Sequence, residues 1–124
     1  MIEKIATDKA PGAIGPYSQA IVSGGFVFTS GQIAINPASG NVEATDIEGQ
    51  TEQVMKNLGA VLEAAGSGYD KAVKTTCFLA DMQDFAKFNE IYGKYFTSKP
   101  ARSCVAAKAL PKGVLVEVEV IAEK

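Results

Sequence analysis

Arg102 gives the clearest chemical signal in this chain, because it is the only arginine while the other eleven cations are lysines. It lies in the segment Lys99–Val105, which reads Lys-Pro-Ala-Arg-Ser-Cys-Val. A guanidinium is a rigid fork of donors that binds a planar carboxylate through two parallel hydrogen bonds, and lysine cannot reproduce that geometry. A lone arginine on a β-type segment therefore indicates either a contact with a carboxylate ligand or a structural ion pair with Asp or Glu. The residue alone does not separate the two.

Four other residues could carry chemistry, and each has a structural alternative. Tyr17 follows a loop rich in proline and glycine, where an aromatic ring can also plug the edge of a sheet. Gly31 interrupts a strand pattern, which marks either a simple bulge or a close approach by another group. Asn89 lies on a predicted helix and could equally face solvent. Glu117 alternates with valines in the last strand, a pattern that is also typical of a solvated face.

Length and composition favour one soluble globular domain spanning residues 1–124, since 47% of the residues are hydrophobic and 21% are charged. The formal net charge is −2 and the isoelectric point is about 5.1. A broad nucleic-acid footprint needs a clustered excess of lysine and arginine, so we expect no nucleic-acid partner.

The chain contains no histidine. This removes the Ser-His and Cys-His nucleophile pairs, the commonest general base and histidine-based metal sites. Gly24-Gly25 and Gly66-Ser-Gly68 lack the spacing of a phosphate-binding loop. We therefore predict no metal and no cofactor, and acid–base chemistry carried by Asp, Glu, Lys, Tyr, Cys or backbone groups.

The N-terminal residues Met-Ile-Glu-Lys-Ile contain no apolar h-region, and no apolar run approaches the length that spans a membrane. Cys77 and Cys104 lie far apart without a Cys-x-x-Cys spacing, which is typical of free thiols in a reducing compartment. These features predict a cytoplasmic protein with no membrane partner.

Hydrophobic periodicity predicts two helices and six strands. The first helix begins at the capping-box sequence Thr45-Asp-Ile-Glu48 and ends at Gly66. The second begins at Asp81 or Asp84, ends near Phe96 and has an aromatic inner surface. The predicted strands cover residues 1–6, 18–22, 26–33, 72–79, 101–107 and 114–122.

This order predicts an α+β two-layer sandwich in which both helices cover one face of a single mixed six-stranded sheet. In the last strand the valines 114, 116, 118 and 120 should face the helices. The opposite face should carry Leu115, Glu117, Glu119 and Ile121. We expect Arg102 and Cys104 on that second face too, although spacing alone does not fix the face that they choose. Such a mixture of apolar and charged groups suits an oligomer interface that encloses a polar cleft.

Several segments along the whole chain carry a family resemblance. They are Ala13–Ser18, Thr29–Gln32, Asn57–Gly66, Lys74–Thr76, Asp84-Phe85 with Asn89 and Tyr92, Pro100–Val105, and Leu110–Lys112 with Val116–Glu119. The sequence Pro-Ala-Arg-Ser-Cys-Val is the most specific of these. In this order and at these separations, the sequence closely resembles the Rid family (YjgF-type proteins, reactive intermediate deaminases), especially its RidA branch.

The resemblance implies a chorismate-mutase-like subunit in a homotrimer, with the sheets lining a central barrel and a cleft between each pair of neighbours. It also implies hydrolysis of 2-imino acids, namely 2-iminobutanoate and 2-iminopropanoate with their enamine tautomers, to 2-keto acids and ammonia. PLP-dependent dehydratases acting on serine and threonine release these imines. The substrate would therefore be a small imino acid, and the product a keto acid.

The family's functional positions carry over residue by residue. Its carboxylate-binding arginine falls on Arg102, and its cleft cysteine, which contributes mainly backbone groups, falls on Cys104. The acidic residue associated with the hydrolytic water falls on Glu117. The remaining substrate-binding positions of the cleft fall on Tyr17, Ser30, Gly31 and Asn89.

Three other functions compete with the deaminase. A non-catalytic sensor for 2-keto acids would need Arg102 but not Glu117. RNA cleavage or inhibition of translation, a label that some family members have carried, conflicts with the acidic isoelectric point, the missing histidine and the single arginine. A chaperone-like holdase would need an exposed apolar patch that persists in the oligomer. We rank the deaminase first, the sensor second and the other two last.

Overall fold

Two helices lie on one face of a mixed six-stranded sheet in the computed structural model, which describes residues 1–124. The sheet strands are β1 (Glu3–Ile5), β2 (Ala20–Ser23), β3 (Phe26–Thr29), β6 (Ala72–Leu79), β7 (Ala101–Ala106) and β8 (Val116–Glu123), in the order β1-β2-β3-β8-β6-β7. Strands β4 (Ile35–Asn36) and β5 (Asn41–Val42) form a separate ribbon. Only β6 and β7 pair in parallel. The predicted two-layer α+β sandwich is confirmed.

Helix α1 (Ile47–Ala64) begins one residue later than the capping box predicts. The capping side chain is that of Asp46, whose Oδ1 accepts a hydrogen bond of 2.8 Å from the N–H of Gly49. Thr45 is too early in the chain, because a capping oxygen has to reach the free N–H groups two or three residues further on. The helix ends as predicted, with Gly66 in the left-handed region at φ +80°.

The core lies between the helices and the inner face of the sheet. Val116, Val118 and Val120 of β8 are at most 1% exposed, which confirms the prediction that the valine face is buried. Val114 is also buried, but it precedes the strand and packs with Ile33 in a second, smaller cluster. Helix α2 (Phe85–Tyr95) adds buried aromatic rings to this core, as its sequence predicts.

Strand β3 ends at Thr29 rather than at the predicted Ile33, because the chain bulges next to Gly31. Phe28 pairs with Ile121 and Gln32 pairs with Val118, so four steps along one strand match three steps along its partner. One extra residue in a strand is the definition of a β-bulge, and it re-aims the side chains beside it.

The outer face of the sheet, which points away from the helices, has no covering layer in the protomer. Phe26, Phe28 and Val105 are 40%, 42% and 48% exposed there. Phe28 is level with Ile21 and Ile121 on its two neighbouring strands, so this face carries a contiguous apolar row. Neither helix is long and apolar enough to cross a membrane.

Candidate functional site

Arg102 on β7 projects toward helix α2 and has no acidic partner. Its Nη1 donates a hydrogen bond of 2.7 Å to Oδ1 of Asn89. Its guanidinium carbon lies 4.9 Å from the centre of the Tyr92 ring and 5.5 Å from that of Phe85. Both ion pairs of the protomer involve lysines, so Arg102 forms no structural ion pair within the protomer. The other guanidinium donors are free to bind an anion.

Cys104 lies two residues further along β7, level with the buried Cys77 of β6. Burial raises the pKa of the Cys104 thiol, against a smaller opposing effect from the Arg102 guanidinium. A nucleophilic cysteine needs a lowered pKa, so the direction of this shift within the protomer does not favour covalent chemistry at Cys104. We call Asn89, Arg102 and Cys104 the arginine half-site.

Glu117 occupies the space above Gly31. A Cβ atom added at Gly31 would lie 2.1 Å from Oε2 of Glu117, which is far inside van der Waals contact. The glycine is therefore needed for a close approach between the bulge and this carboxylate, in addition to forming part of the bulge. The N–H of Gly31 donates to no group in the protomer, so the bulge contains a free backbone donor.

Burial raises the pKa of Glu117 above the ordinary value for a glutamate, and the nearby charge of Glu119 raises it further. A carboxylate with a raised pKa is a stronger base than a solvated one. Such a group is suited to accepting a proton from water.

Tyr17 and Ser30 complete this second group. Tyr17 is 47% exposed, and its hydroxyl accepts a hydrogen bond of 3.3 Å from the N–H of Ile14. The hydroxyl of Ser30 donates to the carbonyl of Ser18 at 2.6 Å. Both residues line a cavity of about 320 Å³ together with Gly31 and Glu117. We call Tyr17, Ser30, Gly31 and Glu117 the glutamate half-site.

The two half-sites lie on opposite faces of the sheet. Arg102 is level with the buried Thr75 of β6, which is level with the buried Val120 of β8, so this row faces the helices. Glu117 is level with Phe78 of β6, one of the residues of the outer face. The structure thus brings together the residues within each half-site but not the two half-sites.

The expectation that Arg102 and Cys104 share the outer face with Glu117 and Glu119 is wrong. Alternation along β7 groups Arg102 with Cys104, but it does not say which of the two possible faces they occupy. The parallel register of β7 on β6 decides this, since it sets Cys104 beside the buried Cys77. That register pairs residues that are far apart in the sequence, so no local sequence pattern indicates it.

Two buried amides that sequence reasoning missed shape the glutamate half-site. Gln19 is 5% exposed, and it bonds to backbone groups of Thr7, Ala10 and Pro11, which fixes the loop before Tyr17. Asn57 is 1% exposed and donates to the carbonyls at positions 33 and 35, which line the cavity. An amide within the apolar stripe of a predicted helix is the signal that could have revealed Asn57.

A family model described as Endoribonuclease L-PSP, which represents the Rid (YjgF) proteins, matches residues 7–124 of this chain. The chain belongs to the Rid family. The resemblance found in the sequence is therefore confirmed.

Relatives of this Rid protein carry several different names. A RutC family protein of Pyrococcus horikoshii is 53% identical over 100% of this chain and 99% of its own length. The human 2-iminobutanoate/2-iminopropanoate deaminase is 47% identical over 95% of this chain and 87% of its own length. The crystal structure of Escherichia coli TdcF with bound serine is 42% identical, with a TM-score of 0.93 over 98% of each chain.

The raised pKa of Glu117 makes a prediction about the stability of this Rid protein. The folded chain holds the Glu117 proton more tightly than the unfolded chain, so protonated Glu117 stabilises the fold at low pH. This contribution is lost as the pH rises through the raised pKa, and the ionised form then destabilises the fold. We expect Glu117→Gln to raise the melting temperature by about 1–3 °C near neutral pH and to have little effect near pH ~4.

Thermal unfolding followed by circular dichroism at both pH values checks this expectation. Glu90→Gln, at an exposed position on α2, is the control for the removal of one negative charge. An equal gain in melting temperature at both pH values would mean that glutamine packs better and that the carboxyl pKa is not responsible.

Proposed function

We propose that this protein hydrolyses small 2-imino acids to 2-keto acids and ammonia, with 2-iminobutanoate and 2-iminopropanoate as substrates. The reaction occurs at a composite site, where the arginine half-site of one copy of the chain meets the glutamate half-site of its neighbour. In the homotrimer that the family resemblance implies, one such site lies between each pair of subunits.

The observation that carries this proposal is that each half-site is incomplete by itself. The arginine half-site offers free cationic donors for a carboxylate but has no acid or base beside them. The glutamate half-site offers a base and a cavity but no cation. Strands β7 and β8 are separated by two strand spacings, about 10 Å, and the groups point to opposite faces. One protomer therefore cannot apply both groups to one small substrate.

The uncovered outer face supports assembly. It carries exposed phenylalanine side chains on the same face as Glu117 and Glu119, and a face of this kind is usual at an interface between subunits. Strand β7 is also an edge strand, so part of its backbone near Cys104 has no partner in the protomer and can face a neighbouring copy.

Arg102 would bind the substrate carboxylate through two parallel hydrogen bonds. A pair of unit charges 4 Å apart contributes about 4 kcal/mol at an effective dielectric of about 20, before the cost of desolvation. That contribution is enough to orient a molecule with one carboxylate, one C=N bond and a short alkyl tail. Asn89 holds the guanidinium, and its Nδ2 remains free to donate to the substrate.

Glu117 would accept a proton from water as the water oxygen attacks the carbon of the protonated imine, whose C=N bond becomes a C–N single bond in a neutral carbinolamine. Glu117 then gives that proton to the amino nitrogen, and the C–N bond breaks with release of ammonia. As the keto oxygen forms, Glu117 accepts the hydroxyl proton, which leaves with ammonia as ammonium. The free N–H of Gly31 and backbone groups near Cys104 can stabilise the developing oxygen or nitrogen charge, while Tyr17 and Ser30 shape the cleft.

The relatives support a substrate of this class. The human relative is named for deamination of 2-iminobutanoate and 2-iminopropanoate. TdcF was crystallised with serine, which has the carboxylate, the nitrogen on C2 and the short side chain of the proposed substrates. The keto-acid sensor remains the second candidate, because free donors on Arg102 are all that it requires.

A coupled assay tests the proposal directly. A PLP-dependent threonine dehydratase generates 2-iminobutanoate, and the formation of keto acid is followed with and without this protein. We expect the protein to accelerate the release of keto acid and ammonia. A folded oligomer that gives no acceleration but binds 2-ketobutyrate in calorimetry would assign the protein to the sensor class instead.

A further inference from the structure

Arg102 is enclosed by aromatic rings from one face of helix α2. Its guanidinium carbon lies 4.9 Å from the ring centre of Tyr92, 5.5 Å from that of Phe85 and 6.0 Å from that of Phe88. Tyr92 is the nearest of the three, and its ring can attract the cation and limit its movement. The amide of Asn89 holds one end of the same guanidinium.

Tyr92 is itself fixed by a residue beneath the site. Its hydroxyl lies 2.6 Å from Oγ1 of Thr75, and Thr75 is completely buried. The Tyr92 ring also stacks on Phe96, with 4.9 Å between the ring centres. Thr75 pairs directly with Arg102 across β6 and β7. The Thr75 hydroxyl therefore contacts the Tyr92 hydroxyl, and the Tyr92 ring contacts the Arg102 guanidinium, which links the core to the arginine half-site.

We propose that Tyr92, anchored by Thr75, is a positioning residue for Arg102. The ring supports one face of the guanidinium while Asn89 holds Nη1, so the remaining donors are oriented before any ligand arrives. The inference deepens the proposed function and rests on it, since an oriented fork is useful only for a planar anion such as the substrate carboxylate.

The expected benefit is in binding and not in the chemical step. A free arginine side chain has many rotamers, and ordering it during binding weakens the affinity for the ligand. The ring of Tyr92 orders the Arg102 side chain before the ligand binds, so binding no longer includes this loss of conformational entropy. Loss of the ring should therefore raise the KM for the imine and the Kd for the keto acid, while kcat stays nearly constant because Glu117 is untouched.

The single arginine allows a test that needs neither ligand nor turnover. In ¹⁵N-labelled protein the Nε–H of Arg102 gives one arginine side-chain signal, and its order parameter reports picosecond-to-nanosecond motion. We expect a restricted signal in the wild type and an order parameter below about 0.6 in Tyr92→Leu. Tyr95→Leu is the matched control, since Tyr95 lies on the same helix and bonds to Glu52 instead.

Binding and kinetics give the second readout. For Tyr92→Leu we expect roughly tenfold increases in the Kd for the product 2-ketobutyrate and in the KM for the imine substrate, with kcat within about twofold of wild type. In Tyr92→Phe the ring remains and only the anchor is lost, so a smaller loosening of the Arg102 signal is expected. Adding Thr75→Val to Tyr92→Phe removes the buried hydroxyl that has lost its tyrosine partner and should restore part of the stability.

An Arg102 signal in folded Tyr92→Leu that matches the wild type overturns the inference. Should Tyr92→Leu fail to fold, an unchanged signal in Tyr92→Phe overturns it as well, because the Thr75 anchor is part of the proposal. If the wild type fails to hydrolyse imines, the proposed function fails, and the order parameter of Arg102 still decides the positioning role.

Discussion

Replacing Arg102 by alanine is expected to lower kcat/KM for 2-iminobutanoate by roughly 10²–10⁴-fold. The substitution removes two charge-assisted hydrogen bonds to the substrate carboxylate, each contributing about 1.5–3 kcal/mol. No cation lines the cavity of the glutamate half-site, so nothing on that side of the composite site replaces the guanidinium.

Arg102→Lys is the matched control, because it keeps the positive charge and removes the planar guanidinium that forms two parallel hydrogen bonds. We expect it to recover at most about tenfold of the lost kcat/KM, since a point charge cannot form the two parallel bonds. The coupled imine assay and calorimetry with 2-ketobutyrate measure both variants. A lysine variant with wild-type activity would mean that charge alone is sufficient, and an active alanine variant would place the carboxylate elsewhere.

Two inactive variants should restore activity to each other. In a mixed oligomer of Arg102→Ala and Glu117→Gln chains, a composite site works when the first chain supplies Glu117 and its neighbour supplies Arg102. With random mixing, the subunit that supplies position 102 to a site carries the arginine in about half of the cases, and the subunit that supplies position 117 carries the glutamate in about half. Roughly a quarter of the sites therefore contain both groups. Activity should rise from near zero to about a quarter of the wild-type value.

The mixed oligomers can be made by co-expression or by joint refolding from denaturant. The control is to combine the two purified variants without unfolding, which should give little activity as long as subunits do not exchange. A mixed oligomer that stays inactive would show that both groups act within one chain, and the composite site would then be wrong.

Much of the fold could be predicted because its signals are local. The strict alternation of β8 identified its buried valines, and the spacing of Val54, Leu58 and Val61 identified the apolar face of α1. The position of the first helix cap was wrong by one residue, since Thr45 and Asp46 are both good capping types. Local sequence patterns predict whether a segment is a helix or a strand more reliably than they predict the residues at which it begins and ends.

The candidate site was less predictable, because its geometry depends on pairs distant in sequence. Arg102 could be singled out by its type, but the face that it uses follows from the register of β7 on β6. The contact between Gly31 and Glu117 joins the bulge after β3 to strand β8, and a glycine in a strand pattern indicates only that some other group comes close to the backbone. The role of Tyr92 was hidden within an aromatic stripe that serves equally well as core.

The carboxylate of Glu117 above Gly31 has a consequence for how this sequence can change over time. While position 117 carries a long acidic side chain, every residue with a Cβ at position 31 forces that chain to move. If position 117 first became small, position 31 would open to alanine or serine, and a glutamate that later returned to position 117 would have to place its carboxyl group elsewhere. The order of substitutions therefore matters at these two positions, because reversing position 117 alone would not restore the present contact.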